Sequence, residues 1–161
     1  RSGHRHFGFI SGGVLAPVSI QRQLGFVGRL QELGIVDVAI ATGDFSYESG
    51  HAALRELVQG KRGMTAVVAA NDAMALGAID AARYDCGLEV PRDLSVVGFD
   101  DTDSARRPPY RLTTVRQPTE ALARKCVDFL FERIKDRSLV PEVLLLPGEL
   151  LVRGSARIDQ A

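Results

Sequence analysis

The chain has 161 residues, enough for one domain with a real core. With 45% apolar and 25% charged residues it has the composition of an ordinary soluble globular protein, and 20 basic residues against 20 acidic ones leave a formal net charge of zero. That balance argues against a domain that binds nucleic acid by itself, the lack of tryptophan argues against a single-strand stacking platform, and no apolar run approaches the length of a membrane span.

His6–Ser11 (HFGFIS) reads as the first strand, running into Gly12-Gly13 and a loop that ends near Pro17. A helix follows over Val18–Leu33, with Ile20, Leu24, Val27, Leu30 and Leu33 near helical spacing and Gly34 suited to the position just past its end. Asp37–Ala41 is the next strand. Thr42–Ser46 is a polar turn carrying one aromatic, Phe45, and a helix runs from about Tyr47 to Gln59. The continuous apolar run Ala66–Ala70 reads as a strand buried on both faces. It ends in Asn71 and Asp72, where a helix to Cys86 begins, and Asp72 is suited to cap that helix. Gly87 closes it, Pro91-Arg92-Asp93 turns the chain, and Leu94–Phe99 is a second buried run ending in Asp100-Asp101. This alternation predicts an α/β fold, a doubly wound parallel sheet with helices on both faces. Ligands bind such sheets at the carboxyl ends of the strands, which is where these polar pairs fall.

After Asp100 the regularity lapses. Asp101–Arg107 is polar, with Asp101 read as a turn or cap residue and Arg106-Arg107 as a solvated pair. Pro108-Pro109 must be extended or turning, and Leu112–Val115 is a short strand. Gln117-Pro118 opens the longest helix, to about Asp136, with Pro118 at its first position and a wide apolar stripe of Leu122, Cys126, Phe129, Leu130 and Ile134. Val143–Leu146 reads as a strand, Pro147-Gly148 as a break and Leu150–Arg153 as a last strand. Cys86 and Cys126, each within a predicted helix, read as buried free thiols. Gly77, inside a helix at a cost of roughly 1 kcal/mol against alanine, implies close packing against a neighbour. His4 and His6 have no partner at metal-ligand spacing. There is no nucleophile elbow, P-loop or His-rich metal set, and Asp100 and Asp101 diverge on a strand end, so no catalytic residue, metal or cofactor is expected.

Several segments resemble the lactose-repressor (LacI/GalR) family of bacterial transcription regulators. They are Gly3-His4-Arg5 before Phe7–Ile10, Arg22 with Gly25-Phe26, TGDFSYESG at Thr42–Gly50, ANDAMALG at Ala70–Gly77, VPRDLSVVGFDD at Val90–Asp101, LTTVRQP at Leu112–Pro118 and ELLVRGS at Glu149–Ser155. They occur in the family's order at family-like spacing across essentially the whole chain. The resemblance implies a two-lobed, periplasmic-binding-protein-like fold with a small effector in the cleft between lobes. It also implies a cytoplasmic homodimer, and a separate N-terminal head that binds operator DNA. On that basis residues 1–116 form the C-terminal effector-binding lobe, 117–148 complete an N-terminal lobe whose first part is missing, and 149–161 return to the C-terminal lobe. The chain opens with Arg1-Ser2-Gly3-His4-Arg5 directly before a strand and no methionine leads it, so a fragment is expected. Left without its partner sheet, the 118–136 stripe would favour association. ARRPPYR at Ala105–Arg111 departs from the family's Pro-Pro-Leu-Thr run.

Five residues are candidates for the effector site, each with a plainer alternative. Arg22 can donate paired bonds to hydroxyls or a carboxylate, or be a structural ion pair. Asp100 suits sugar hydroxyls or the N–H groups of a base, or a turn. Asn71 offers donor and acceptor together, or only forms the turn before a helix. Phe45 can pack on a sugar or purine face, or on the protein itself. Gln117 can reach a ligand at the lobe crossing, or bond backbone at a hinge. A sugar or a nucleobase-like effector is compatible with this set. A periplasmic sugar-binding protein of a transport system shares the fold and is the alternative; a doubly wound enzyme domain lacks any sequence support.

Overall fold

The computed structural model describes residues 3–60 and 63–158. Six strands and four α-helices alternate: β1 (Phe7–Ser11), α1 (Pro17–Glu32), β2 (Val38–Thr42), α2 (Tyr47–Gly60), β3 (Ala66–Ala69), α3 (Asp72–Asp80), β4 (Ser95–Asp100), β5 (Thr113–Arg116), α4 (Thr119–Lys135) and β6 (Glu149–Leu151). They form one sheet in the order β2-β1-β3-β4-β5-β6. The first five strands are parallel and β6 pairs antiparallel with β5, Arg116 opposite Glu149. The chain steps one way from β1 to β2 and the other way from β2 to β3 and β4. With right-handed crossovers that puts α1 on one face and α2 and α3 on the other, the doubly wound arrangement expected.

Alternation along β1 serves both layers. Phe7 and Phe9 face α1, where Phe26 lies with ring centroids 6.2 and 5.7 Å away. Gly8 faces the other layer, where a Cβ would meet Met64 Sδ at 2.8 Å and Leu57 Cδ1 at 3.2 Å. That second layer holds most of the core, including Leu54, Leu57, Met74 and Ile79. The inward face of α1 is not the expected apolar row. Ser19 and Leu30 are buried and Phe26 packs on the core, whereas Ile20, Leu24 and Leu33 are exposed and Val27 is half-buried. The Phe26 stack and the inward reach of Arg22 set the helix phase, which an apolar count on two competing faces could not. Gly34, at φ 78°, ends α1: its N–H bonds Gln31 O and that of Ile35 bonds Leu30 O, closing a Schellman turn.

Helices α2 and α3 cross at two glycines. A Cβ on Gly77 would collide with the backbone carbonyl of Tyr47 and the N–H of His51, and one on Gly50 with the backbone of Met74. This is the close packing that Gly77 implied. The helix beyond Asp80 loosens into a π-turn over Ala81–Asp85 instead of continuing as α-helix to Cys86.

Two buried carboxylates fasten the carboxyl ends of β3, β4 and β5. Asp72, expected as a helix cap, is fully buried and accepts from Thr102 N–H (2.7 Å), Thr102 Oγ1 (3.1 Å) and Thr114 Oγ1 (2.6 Å). Burial pushes its pKa up against the pull of these bonds. The cap is Asn71, whose Oδ1 accepts from Met74 N–H at 3.0 Å. Gly98 makes room for Asp72, since a Cβ there would run into Oδ1. Asp101 is likewise no simple turn residue. Its side chain is 1% exposed and receives Arg106 Nη2 at 2.8 Å, Arg116 Nε at 2.7 Å and Arg153 Nη2. Burial opposes its charge, but the three guanidinium hydrogen bonds outweigh it and hold the carboxyl well below the usual range. Arg106 is therefore an ion-pair partner and not one of a solvated pair.

The last third differs most from expectation. Helix α4 starts at Thr119 with Pro118 outside it as the cap residue, and none of its residues is buried. Cys126 is exposed and Cys86 half-buried, so neither thiol is in a core. Val143–Leu146 forms no strand: it joins none of the six strands of the sheet, and its largely exposed backbone is left to water. Residues 159–161 of the expected return segment, like Arg1 and Ser2, lie outside the described residues. No helix among the described residues is long and apolar enough to cross a membrane.

Gly77→Ala should lower the urea midpoint by the equivalent of about 2 kcal/mol, because overpacking outweighs helix propensity. Gly28→Ala in α1, where a Cβ meets nothing within 4 Å, should be neutral or stabilise by up to about 1 kcal/mol. Asp101 contributes stability above the unfolded carboxyl pKa near 4, and loses it as pH falls through its lower folded value. Asp101→Asn should therefore cost about 2–3 kcal/mol at pH 7. It should also flatten the fall in stability between about pH 4 and pH 2 seen in the unsubstituted protein by chemical denaturation.

Candidate effector site

The switch in strand order lies between β1 and β3, and the candidate residues gather around that point at the carboxyl edge. Arg22 projects from the second turn of α1 across the end of β1. Its Nη1 donates to the carbonyl of Ala70 at 2.5 Å, its Nη2 lies 3.5 Å from Asp100 Oδ1, and its guanidinium carbon sits 3.8 Å above the centre of the Phe99 ring. Burial lowers the Arg22 pKa, offset by the nearby charges of Asp100 and Asp72. A guanidinium stacked on an aromatic face and anchored at one end is held in plane, so its remaining donors point in a fixed direction.

Asp100 is the other half of this pair. It ends β4 with φ 119°, and Asp101 follows at φ 60°. A non-glycine residue at the first value is strained, at a cost of roughly 1–3 kcal/mol. The strain turns two adjacent side chains to different tasks: Asp101 into its arginine cluster, Asp100 to the open edge. There Asp100 Oδ1 accepts from Gln117 Nε2 at 2.6 Å. Arg22, Asp100 and Gln117 thus make one hydrogen-bonded chain linking α1, β4 and the residue just after β5.

Phe45 and Asn71 form a second, linked part. Asn71 Nδ2 donates to the carbonyl of Phe45 at 3.0 Å, while its Oδ1 caps α3. Phe45 has φ 70°, and its ring lies over Gly12, where a Cβ would run into it. Behind it, Gly12 N–H donates to the buried Ser19 Oγ at 2.7 Å, and Asp44 accepts from Ser46 N–H at 2.9 Å to shape the turn. Asn71 is therefore turn-former and clamp together, and the half-buried Phe45 ring packs on the protein while bordering the edge. Two contributors escaped the sequence reading, Phe99 under Arg22 and Ser19 under Gly12. The i−3 spacing of Ser19 from Arg22 on α1 was the one available signal for either. Among the described residues no group of three or more His, Cys, Asp or Glu is arranged to hold a metal. Bound internally in this way, the polar edge offers carboxylate, amide and guanidinium groups to a ligand rich in hydroxyl or N–H groups.

Residues 1–156 match the family of periplasmic binding protein-like domains. The chain is 37% identical over 157 residues to the HTH-type transcriptional repressor CytR of Escherichia coli K12, covering 96% of this chain and 46% of that protein. It is 36% identical over 156 residues to the HTH-type transcriptional regulator CelR of Thermobifida fusca, with the same coverage. The chain thus spans about half the length of the curated relatives it matches. Among solved structures, a complex of the regulator CelR with cellobiose superposes with a TM-score of 0.90 at 36% identity, covering 96% of this chain and 48% of that one. The lac repressor dimer bound to operator and the anti-inducer ONPF superposes with a TM-score of 0.88 at 32% identity, covering 96% and 53%. The chain therefore belongs to the family of periplasmic binding protein-like domains, and the relatives it resembles over half their length are HTH-type transcriptional regulators.

Proposed function

We propose that this chain is the effector-sensing and dimer-forming core of a LacI-type transcriptional regulator, acting on DNA through a helix-turn-helix head outside this sequence and working in the cytoplasm as a homodimer. The observation that carries the reading is the Arg22–Asp100–Gln117 chain at the switch point of the sheet. An effector hydroxyl can accept from Arg22 and donate to Asp100, replacing bonds the protein otherwise makes to itself. The Phe45 ring then borders the sugar's apolar face. The structure of a relative in complex with cellobiose supports a sugar over a nucleobase-like effector. The regulator relatives favour this over a transport-associated binding protein, and over an enzyme. Residues 117–148 belong, on this reading, to the other lobe, which accounts for the wholly unburied α4. Effector binding favours one lobe arrangement by its differential affinity and so shifts how the dimer presents its DNA heads.

Titration with cellobiose followed by NMR tests the site. Shifts should concentrate at Arg22, Phe45, Asn71, Asp100 and Gln117, with affinity in the millimolar range, because this chain lines one side of the cleft only. Arg22→Ala and Asp100→Ala should each weaken binding about tenfold or more, equivalent to about 1.4 kcal/mol. Shifts at these residues with adenosine and none with cellobiose would overturn the sugar assignment. Shifts confined to another surface would overturn the site.

A further inference from the structure

The sheet passes the chain to residues 118–147 and takes it back at adjacent points. β5 ends at Arg116, β6 begins at Glu149, and the two residues face each other in the antiparallel ladder. The passages run close together: a Cβ on Gly148 would meet Val115 Cγ1 at 2.8 Å and the carbonyl of Arg116 at 3.1 Å. Arg116 bonds on both sides of this gap. Its Nε donates to Asp101 Oδ2 at 2.7 Å and its Nη1 to Glu149 Oε2 at 3.2 Å. The two bonds are unequal. Glu149 is a largely exposed partner, and such a pair contributes little. Asp101 is a buried acceptor already fixed by Arg153 and Arg106. The next residue, Gln117, donates to Asp100. Two successive residues leaving β5 therefore bind two successive residues leaving β4, one pair fixed at the base and one at the open edge.

We infer that Arg116 is the positioning residue of the lobe crossing. Anchored on Asp101, to which Arg153 of the returning segment also bonds, it holds the outgoing and returning passages together through that shared carboxylate and presents the Gln117 amide to Asp100. Its coupling to an effector rests on the proposed function: a ligand that takes over Asp100 releases Gln117, while the joint at Arg116 stays closed. The direction in which residues 118–147 leave the sheet is then set by Gln117 turning about a fixed neighbour. A planar, always-charged guanidinium suits this task, because its fork reaches two carboxylates from one rigid group.

Amide hydrogen exchange on the ligand-free chain tests this without reference to any effector. Arg116→Gln should speed exchange at least tenfold at the β6 amides 149–151 and at the Gln117 side-chain amide, leaving β1 and α3 unchanged. Arg116→Lys, which keeps the charge and one reach to Asp101 but not the fork, should restore most of the protection at Gln117 and less in β6. Glu149→Gln should change exchange less than threefold. Unchanged exchange in Arg116→Gln, or uniform acceleration that includes β1 and α3, would overturn the inference. So would a Glu149→Gln effect as large as that of Arg116→Gln. Failure of cellobiose to bind would strike the proposed function and leave this result standing.

Discussion

A carboxylate taken out of water must find donors, and at the carboxyl edge of this sheet two of them, Asp72 and Asp101, do so. Asp72 draws the loop after β4 and the middle of β5 to the start of α3. Asp101 draws in arginines from the 3-10 turn at Asp103–Arg106, from the end of β5 and from the segment after β6. Together they fix where β4 and β5 end relative to β3. The open polar edge depends on that placement, since Asp100 lies between them in sequence and next to both in space. The strained φ of Asp100 is sustainable because its neighbours on either side are held this firmly.

Several glycines make the same edge possible by what they leave out. Gly98 opens the space that Asp72 fills, Gly12 the space under the Phe45 ring, and Gly50 and Gly77 let α2 and α3 touch backbone to backbone. Each stands where two elements approach more closely than any side chain allows. The tight α2–α3 contact gives the sheet a closely packed second layer behind that edge.

The crossing joins a well-packed half to one that buries almost nothing. Up to Arg116 the chain is a core with both faces covered; from Thr119 to Lys135 no residue is buried. A stripe with helical spacing formed a helix without a surface to cover it among the described residues. The polar edge and the exposed helix meet at Arg116-Gln117, so the residues that hold the edge are also those that direct the helix.

Hydrophobic runs, breaks and polar strand ends sufficed to place five strands, the helices between them and the polar pairs at the right edge, because those features follow from short-range periodicity and from the need to bury parallel strands on both faces. The motif order was enough to single out Arg22, Asp100, Asn71, Phe45 and Gln117, and the structure brings Arg22, Asp100 and Gln117 into one chain and Asn71 and Phe45 into another. What only the tertiary structure decided was which neighbour each polar group answers to. Asn71 took the cap expected of Asp72, because Thr102 and Thr114, thirty and forty-two residues away, supply donors that draw Asp72 into the interior instead. Asp101 became the centre of an arginine cluster assembled from three separate segments. The phase of α1 followed Arg22 and Phe26, not the longest apolar row. The 143–146 run joined none of the six strands of the sheet. Each of these depends on contacts distant in sequence, and no local pattern carries them.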